Sequence, residues 1–272
     1  MLEMKEGVRA KLMQDFMHLN AVIERPNKIR MFTRNMVEKT IVYSKCEESL
    51  DPVRSGRLIF TNDRILNAAT KLNANEHSKI CVINCGDRSI PGGGVTLGYP
   101  FTEESLCRST NLYRSLSCTK VMTRFYGEGD PVYGTSSVVY SPKVIQIKTD
   151  DFNAEFLQHW FLLDVITIAA PSVKGIEYDE LFLRSNLTEK LLLAFKVACR
   201  HSIDTVVLND LNFQQRGYKE STIVKVLGSI LKSYRKVFSN VVIAIYDYED
   251  PGNLESFESL QDLIKKEIFD SD

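Results

Sequence analysis

Two adjacent glutamates follow a run of three glycines, a combination that could place an acid beside a ligand held by backbone. Gly92–Gly94 come after the apolar run 79–84, and Glu103 and Glu104 stand shortly downstream. Backbone without Cβ atoms can approach a ligand closely and adopt positive φ angles. The sequence therefore predicts a strand, a bare loop and an acidic helix start that together cradle a nucleotide-type ligand.

The paired carboxylates could perform acid–base chemistry on a glycosidic bond. A carboxylic acid beside a C1–O bond can protonate the leaving oxygen and then accept a proton from water. A helix N-terminus lowers the pKa of such a carboxyl, so burial or a hydrogen bond to the leaving oxygen has to counter it. Adjacent helical side chains point ~100° apart, so Glu103 and Glu104 cannot share one role. Alternatively, Thr102 caps the helix and both glutamates only stabilise its first turn.

The glycine run also has two simpler explanations. It could be a tight strand-to-helix turn without a ligand. It could also be a dinucleotide loop, because Gly92-x-Gly94-x-x-x-Gly98 follows a strand. That spacing is not the usual fingerprint, however, and no acidic residue lies ~20 positions further on to hold a ribose hydroxyl.

Charge and composition exclude several classes of protein. The 272 residues carry a net charge of −1, with 44% hydrophobic and 25% charged residues, as in an ordinary globular protein. No general attraction to nucleic acid or to an acidic membrane is expected, so a polyanionic ligand needs a local site. No segment resembles a signal peptide or reaches the ~20 apolar residues of a membrane span.

The cysteines and histidines indicate an intracellular protein, in cytoplasm or nucleus, without a metal or cofactor. None of the cysteines forms a CxxC pair, and they lie within apolar runs, which is typical of reduced core thiols. The four histidines are dispersed. The cysteines are Cys46, Cys81, Cys85, Cys107, Cys118 and Cys199.

Hydrophobic periodicity predicts alternating helices and buried strands, which favours a layered α/β domain. The stretch 124–133 reads as an exposed loop, Asp63 or Asn62 as a helix cap, and Asp51-Pro52 as a turn. Predicted helices cover 5–22, 28–39, 63–73, 103–117, 187–201, 221–237 and 254–269. Predicted strands cover 40–43, 57–60, 79–84, 138–140, 144–147, 162–170, 204–208 and 240–245.

The glycine–glutamate stretch resembles the signature of microbial-type poly(ADP-ribose) glycohydrolases. That signature is Gly-Gly-Gly, seven residues and Gln-Glu-Glu, and this chain has Thr-Glu-Glu at 102–104. The segments 103–109, 139–144 and 60–72 also resemble that type, and the similarity spans roughly residues 8–250. The resemblance implies a three-layer α/β/α macrodomain-like mixed sheet with an N-terminal helical extension. It divides the chain into an extension (1–50), a catalytic core (51–250) and a C-terminal surface helix or tail (251–272).

The resemblance also implies an activity and its partners. The expected reaction cleaves the ribose–ribose O-glycosidic bond of poly(ADP-ribose) and releases ADP-ribose. Glu104 is then the acid and base, and Glu103 helps to hold ribose hydroxyls. The expected protein is a monomer that acts on poly(ADP-ribose) or an ADP-ribosylated protein, with no membrane or general nucleic-acid partner. A non-catalytic ADP-ribose-binding domain and a mono-ADP-ribosyl hydrolase stay as alternatives.

The remaining substrate contacts are expected around the two loops. Asp87 stands where the family has Asn or Ser and either contacts the ligand or forms an Asx turn. The family's second loop, Gly-Cys-Gly-x-Phe-Gly-Asn, corresponds to residues 212–218, where only Gly217 matches a glycine. Arg216 could replace the lost N–H donors to phosphate by its charge. Other expected substrate-binding residues are Gly92, Gly93, Gly94, Val95 and Thr102; aromatic residues that could stack on the ligand are Tyr99, Phe101, Phe125 and Tyr126.

Overall fold

Seven β-branched, apolar runs form one mixed sheet in the computed structural model, which describes residues 6–51, 56–72, 78–247 and 254–270. The strand order is β1-β4-β5-β3-β6-β7-β2. Strands β1, β4 and β5 pair antiparallel, and all other pairs are parallel. The strands are β1 (Ile41–Tyr43), β2 (Arg57–Thr61), β3 (Ile80–Gly86), β4 (Val138–Lys148), β5 (Phe156–Ala169), β6 (Thr205–Asn209) and β7 (Asn240–Ala244).

Helices cover both faces of this sheet. A 3-10 turn at Val95–Leu97 and a π-helical turn at Met122–Tyr126 supplement them. Within the described residues the α-helices are α1 (Glu6–Glu24), α2 (Lys28–Lys39), α3 (Ile65–Lys71), α4 (Thr102–Ser109), α5 (Leu112–Leu116), α6 (Thr119–Val121), α7 (Glu180–Arg200), α8 (Phe213–Arg216), α9 (Glu220–Tyr234) and α10 (Leu254–Phe269). None of them is both long enough and apolar enough to cross a bilayer.

Alternate residues of the central strands pack into two separate cores. Val82 and Val207 face α3, α4 and α5 on one side of the sheet. Ile83 and Val206 face α7, α9 and α10 on the other. Strands that are buried on both faces are mostly apolar along their length, and β3 and β6 fit this pattern except at Asn84, Thr205 and Asn209. The predicted three-layer α/β/α arrangement is confirmed.

The N-terminal residues add two helices and an edge strand. The predicted stripe on α1 is confirmed, since Leu12, Phe16 and Leu19 are buried. Asn27 caps α2 by accepting a hydrogen bond from the backbone N–H of Arg30. Strand β1 then pairs with β4, so the segment expected to be a helical extension also completes the sheet.

Two predictions about how the chain divides into helices and strands are wrong. The helix expected over 103–117 is broken, because Thr110 forms a bridge with Gln146 and the side chain of Asn111 bonds to the backbone N–H of Ile145. Side-chain hydrogen bonds of this kind compete with helix formation. The expected strands 138–140 and 144–147 form one strand with a register shift between Ser141 and Val144.

Two local predictions also fail. Neither Asp63 nor Asn62 caps α3, because the N-cap is Arg64, and the Asp63 carboxylate instead bonds to Lys71 and Thr61. The stretch 124–133 is not wholly exposed, since Phe125 is fully buried. Pro52, in the predicted turn, and residue 73, at the predicted end of α3, lie outside the described residues.

A buried ionic anchor fixes the start of α4. Asp150 accepts hydrogen bonds from the Ser105 hydroxyl and from the Leu66 backbone N–H. Its carboxylate lies 3.7 Å from the Arg64 guanidinium, and both side chains are buried. Asp150 therefore ties α3 and the end of β4 to the residue that follows Glu104.

We expect Asp150→Ala to lower the free energy of unfolding by about 3 kcal/mol or more, because it removes the buried carboxylate that lies beside the Arg64 guanidinium. Urea unfolding would measure the change. Lys71→Ala, at the end of α3, is the matched control, because it removes the exposed Lys71–Asp63 ion pair. It should lower the free energy of unfolding by at most about 1 kcal/mol. Equal losses in the two variants would contradict the anchor.

Candidate active site

The glycine loop and the paired glutamates meet in the structure. Gly92 and Gly93 have φ angles of 70° and 55°. A Cβ atom on Gly93 would lie 2.6 Å from Glu104 Oε1 and 3.0 Å from Glu103 Oε2. Gly93 is therefore required both by its backbone conformation and by the two carboxylates pressed against it.

Backbone N–H groups hold both carboxylates. Glu104 Oε1 accepts a 2.8 Å hydrogen bond from the N–H of Gly94. Glu103 Oε2 accepts a 2.6 Å bond from the N–H of Asp87, at the end of β3. The side chains are almost inaccessible, at 3% exposure for Glu103 and 6% for Glu104. The two carboxylates thus reach different segments of the first loop, as their adjacent helical positions require.

Burial controls the protonation of this pair. It is the main cause that raises the pKa of Glu103 to about 8, and the neighbouring Glu104 raises it further. Burial also raises the pKa of Glu104, against the lowering by the N–H of Gly94 and by the charges of Arg108 and Arg216. The helix start does not keep these groups acidic, because loss of hydration outweighs it.

Thr102 does not cap α4, contrary to the alternative left open by the sequence. The N-cap is Phe101, which makes no side-chain capping bond. The Thr102 hydroxyl instead donates to Asn212 Oδ1 at 2.9 Å and accepts from the Asn209 amide at 3.1 Å. Thr102 therefore joins the acidic helix to the second loop.

The second loop forms a helical turn, α8. Leu211 and Asn212 precede it with φ angles of 58° and 54°, and Gly217 follows with a φ of 82°. A Cβ on Gly217 would lie 2.6 Å from the Cα of Lys174, so close packing requires the glycine there.

Arg216 is not a solvated loop residue. Its guanidinium donates to the carbonyl of Ala170 at 3.0 Å and to that of Cys85 at 2.8 Å. These bonds link the ends of β5 and β3 beneath the site. Its Nε is buried and has no partner within the described part of the chain. The charge of Arg216 also lowers the pKa of Glu103 and Glu104.

Of the other predicted site residues, Asp87 lies at the first loop, whereas Val95 and Phe125 lie in the hydrophobic core. Asp87 forms an Asx turn, since its Oδ1 accepts from the N–H groups of Ser89 and Ile90, while its own N–H holds Glu103. Val95 is fully buried in the core beside α4. Phe125 is also core, so it cannot stack on a ligand.

The sequence did not single out Asn84 or assign a polar role to Tyr126. Asn84 Oδ1, Glu103 Oε1 and the Tyr126 hydroxyl are buried without a partner among the described residues. Asn84 donates to Thr167 at 3.2 Å, next to the glutamate start of α4. A polar residue at the end of an otherwise apolar strand is the signal that could have found it.

Among the described residues, no group of three or more His, Cys, Asp or Glu side chains is placed to hold a metal ion.

Solved structures with this fold include poly(ADP-ribose) glycohydrolase from Thermomonospora curvata. It is 20% identical, with a TM-score of 0.78 over 97% of this chain and 100% of that one. The same protein bound to the inhibitor ADP-HPD gives 20% identity and a TM-score of 0.77 over 96% and 99%. The enzyme from Deinococcus radiodurans in complex with ADP-ribose gives 20% identity and a TM-score of 0.72 over 85% and 98%.

The amino-acid sequence of the chain matches one protein family. No curated protein matches the chain. Residues 14–149, half of the chain, match the family described as microbial-type PARG, catalytic domain. This match includes the glycine loop and both glutamates. The chain therefore belongs to the microbial-type poly(ADP-ribose) glycohydrolase family.

Proposed function

We propose that this protein cleaves the ribose–ribose O-glycosidic bond of poly(ADP-ribose) and releases ADP-ribose. The observation that carries the proposal is the Glu104 carboxyl, buried at a helix start and bonded to the N–H of Gly94. Membership of the family supports it, as do relatives solved with ADP-ribose and ADP-HPD. The free cysteines support an intracellular site of action.

Glu104 acts first as an acid and then as a base. Burial raises the pKa of its carboxyl, which favours the protonated form that can donate to the leaving ribose oxygen. The C1–O bond breaks and leaves an oxocarbenium-like carbon. Water attacks this carbon, and Glu104 accepts the water proton, which restores its starting state. The N–H of Gly94 stabilises the carboxylate between the two transfers.

Glu103 supports the ribose. Its Oε2 accepts a hydrogen bond from the Asp87 N–H, whereas its Oε1 is buried and has no partner among the residues that the structure describes. A buried polar atom without a partner is costly, and a ribose hydroxyl would supply the missing hydrogen bond.

Arg216 contributes positive charge that favours binding of the ligand's diphosphate. Its guanidinium is bonded to two neutral carbonyls, so its positive charge is not neutralised by those bonds. A fixed, half-buried cation favours an anionic group nearby. Arg216 would thereby compensate for the glycine N–H donors that the second loop lacks.

A non-catalytic ADP-ribose-binding protein is the second candidate. The observation that favours it is the helical turn α8, which replaces a run of glycines in the second loop. Hydrolysis of a mono-ADP-ribosylated protein is a further variant of the first proposal, since it needs the same acid and base.

Glu104→Gln tests these candidates. We expect a fall in kcat of roughly 10²–10⁴-fold, because the amide cannot transfer the proton. ADP-ribose affinity should stay within about threefold, measured by calorimetry, because the shape of the site is kept. Glu220→Gln, an exposed glutamate in the first turn of α9, is the matched control and should retain full turnover. An active Glu104→Gln variant would exclude Glu104 as the acid.

Glu103 makes a separate prediction about pH. Its pKa is raised from 4.5 to about 8, so the folded chain holds a proton that the unfolded chain has released. This group therefore contributes less stability as the pH rises from about 4.5 to about 8. As the pH rises across that window, we expect the free energy of unfolding of Glu103→Gln to increase relative to that of the unmodified protein. Urea unfolding at each pH would measure this difference. A constant difference between the two proteins would contradict the raised pKa.

A further inference from the structure

A groove beside helix α2 is lined by three arginines and two glutamates. Arg30 and Arg34 of α2 line two adjoining depressions, one of which also includes Arg114 of α5. Residues 24–39 contain five basic side chains against two acidic ones, in a protein whose net charge is −1. The groove therefore differs in charge from the protein as a whole.

The two acids of this segment are partly offset by nearby cations. Glu24 lies 2.7 Å from the Arg114 guanidinium, so this pair is internally neutral. The backbone carbonyl of Glu38 accepts a 2.9 Å hydrogen bond from Lys120 Nζ, which brings another cation to the rim. The excess positive charge of the groove thus remains with Arg30 and Arg34, which form no ion pair within the described ranges of the chain.

The spacing of these arginines fits a diphosphate. They are one helical turn apart, which places their Cα atoms ~6 Å apart along the axis. Each guanidinium can bind a phosphate through two parallel N–H bonds. Met31 lies beside them with 62% of its surface exposed and offers an apolar contact for a base or a sugar. Charge with adjacent apolar surface is typical of sites for single-stranded polyanions.

The groove lies next to the candidate active site. The ring of Tyr113 in α5 would lie 3.0 Å from a Cβ atom placed on Gly92. Arg114, the next residue, lines the groove. Helix α5 therefore lies between the glycine loop and the groove, with Tyr113 against the loop and Arg114 lining the groove.

We propose that this groove binds a further diphosphate of the poly(ADP-ribose) chain whose terminal unit occupies the active site. The inference rests on the proposed function. It assigns to α2 the role of selecting polymer over free ADP-ribose.

The test compares polymer with monomer binding. Arg30→Ala/Arg34→Ala is introduced into the Glu104→Gln protein, where bound polymer is not cleaved. Alanine favours the helix, so α2 should fold unchanged. We expect affinity for long poly(ADP-ribose) to fall about tenfold, affinity for ADP-ribose to stay within about twofold, and the salt dependence of polymer binding to decrease.

A matched control and a competitor make the test specific. Arg184→Ala/Lys225→Ala removes two cations from the groove between α7 and α9 and should leave polymer affinity unchanged. Unchanged polymer affinity in the α2 variant would overturn the proposal. So would single-stranded RNA of equal phosphate number competing as well as the polymer. Failure of the unmodified protein to hydrolyse polymer would contradict the proposed function alone, because binding is measured without cleavage.

Discussion

The structure depends on burying two adjacent carboxylates against a loop that has no side chains. Glu103 and Glu104 lose hydration, and the N–H groups of Asp87 and Gly94 and two nearby arginines offset part of that loss. A Cβ on Gly93 would displace both carboxylates. Burial therefore raises the pKa of both carboxyls, which is the direction that favours a general acid.

The two departures from the family signature lie in contact with each other. Thr102 replaces the family's Gln, and its hydroxyl bonds to Asn212 at the start of the altered second loop. Asn209 bonds to both residues, so the acidic helix and the second loop form one hydrogen-bonded unit. Arg216, at the end of α8, then fastens that unit to the ends of β3 and β5. The two substitutions are best understood together, as one change in how the first loop and the second loop are joined.

Most of the fold could be predicted from local patterns, whereas the site's finer contacts could not. The periodicity of α1, α2 and α10 and the apolar runs of β3, β6 and β7 depend on neighbouring residues and were recovered. The break at Thr110, the burial of Phe125 and the failure of Thr102 to cap depend on partners far along the chain. The basic groove was missed for the same reason. Net charge averages over the surface, and only the fold brings Arg114 beside Arg30 and Arg34.

The central claim is that a buried Glu104, held by glycine-loop backbone, cleaves the bond between ADP-ribose units. In the proposed arrangement, Glu103 binds the ribose and Arg216 favours the diphosphate. The most direct test is to incubate the purified protein with poly(ADP-ribose) and separate the products by chromatography. The account predicts that free ADP-ribose accumulates with time while the polymer shortens. Polymer that stays intact, while ADP-ribose still binds, would contradict the account and identify a binding protein instead.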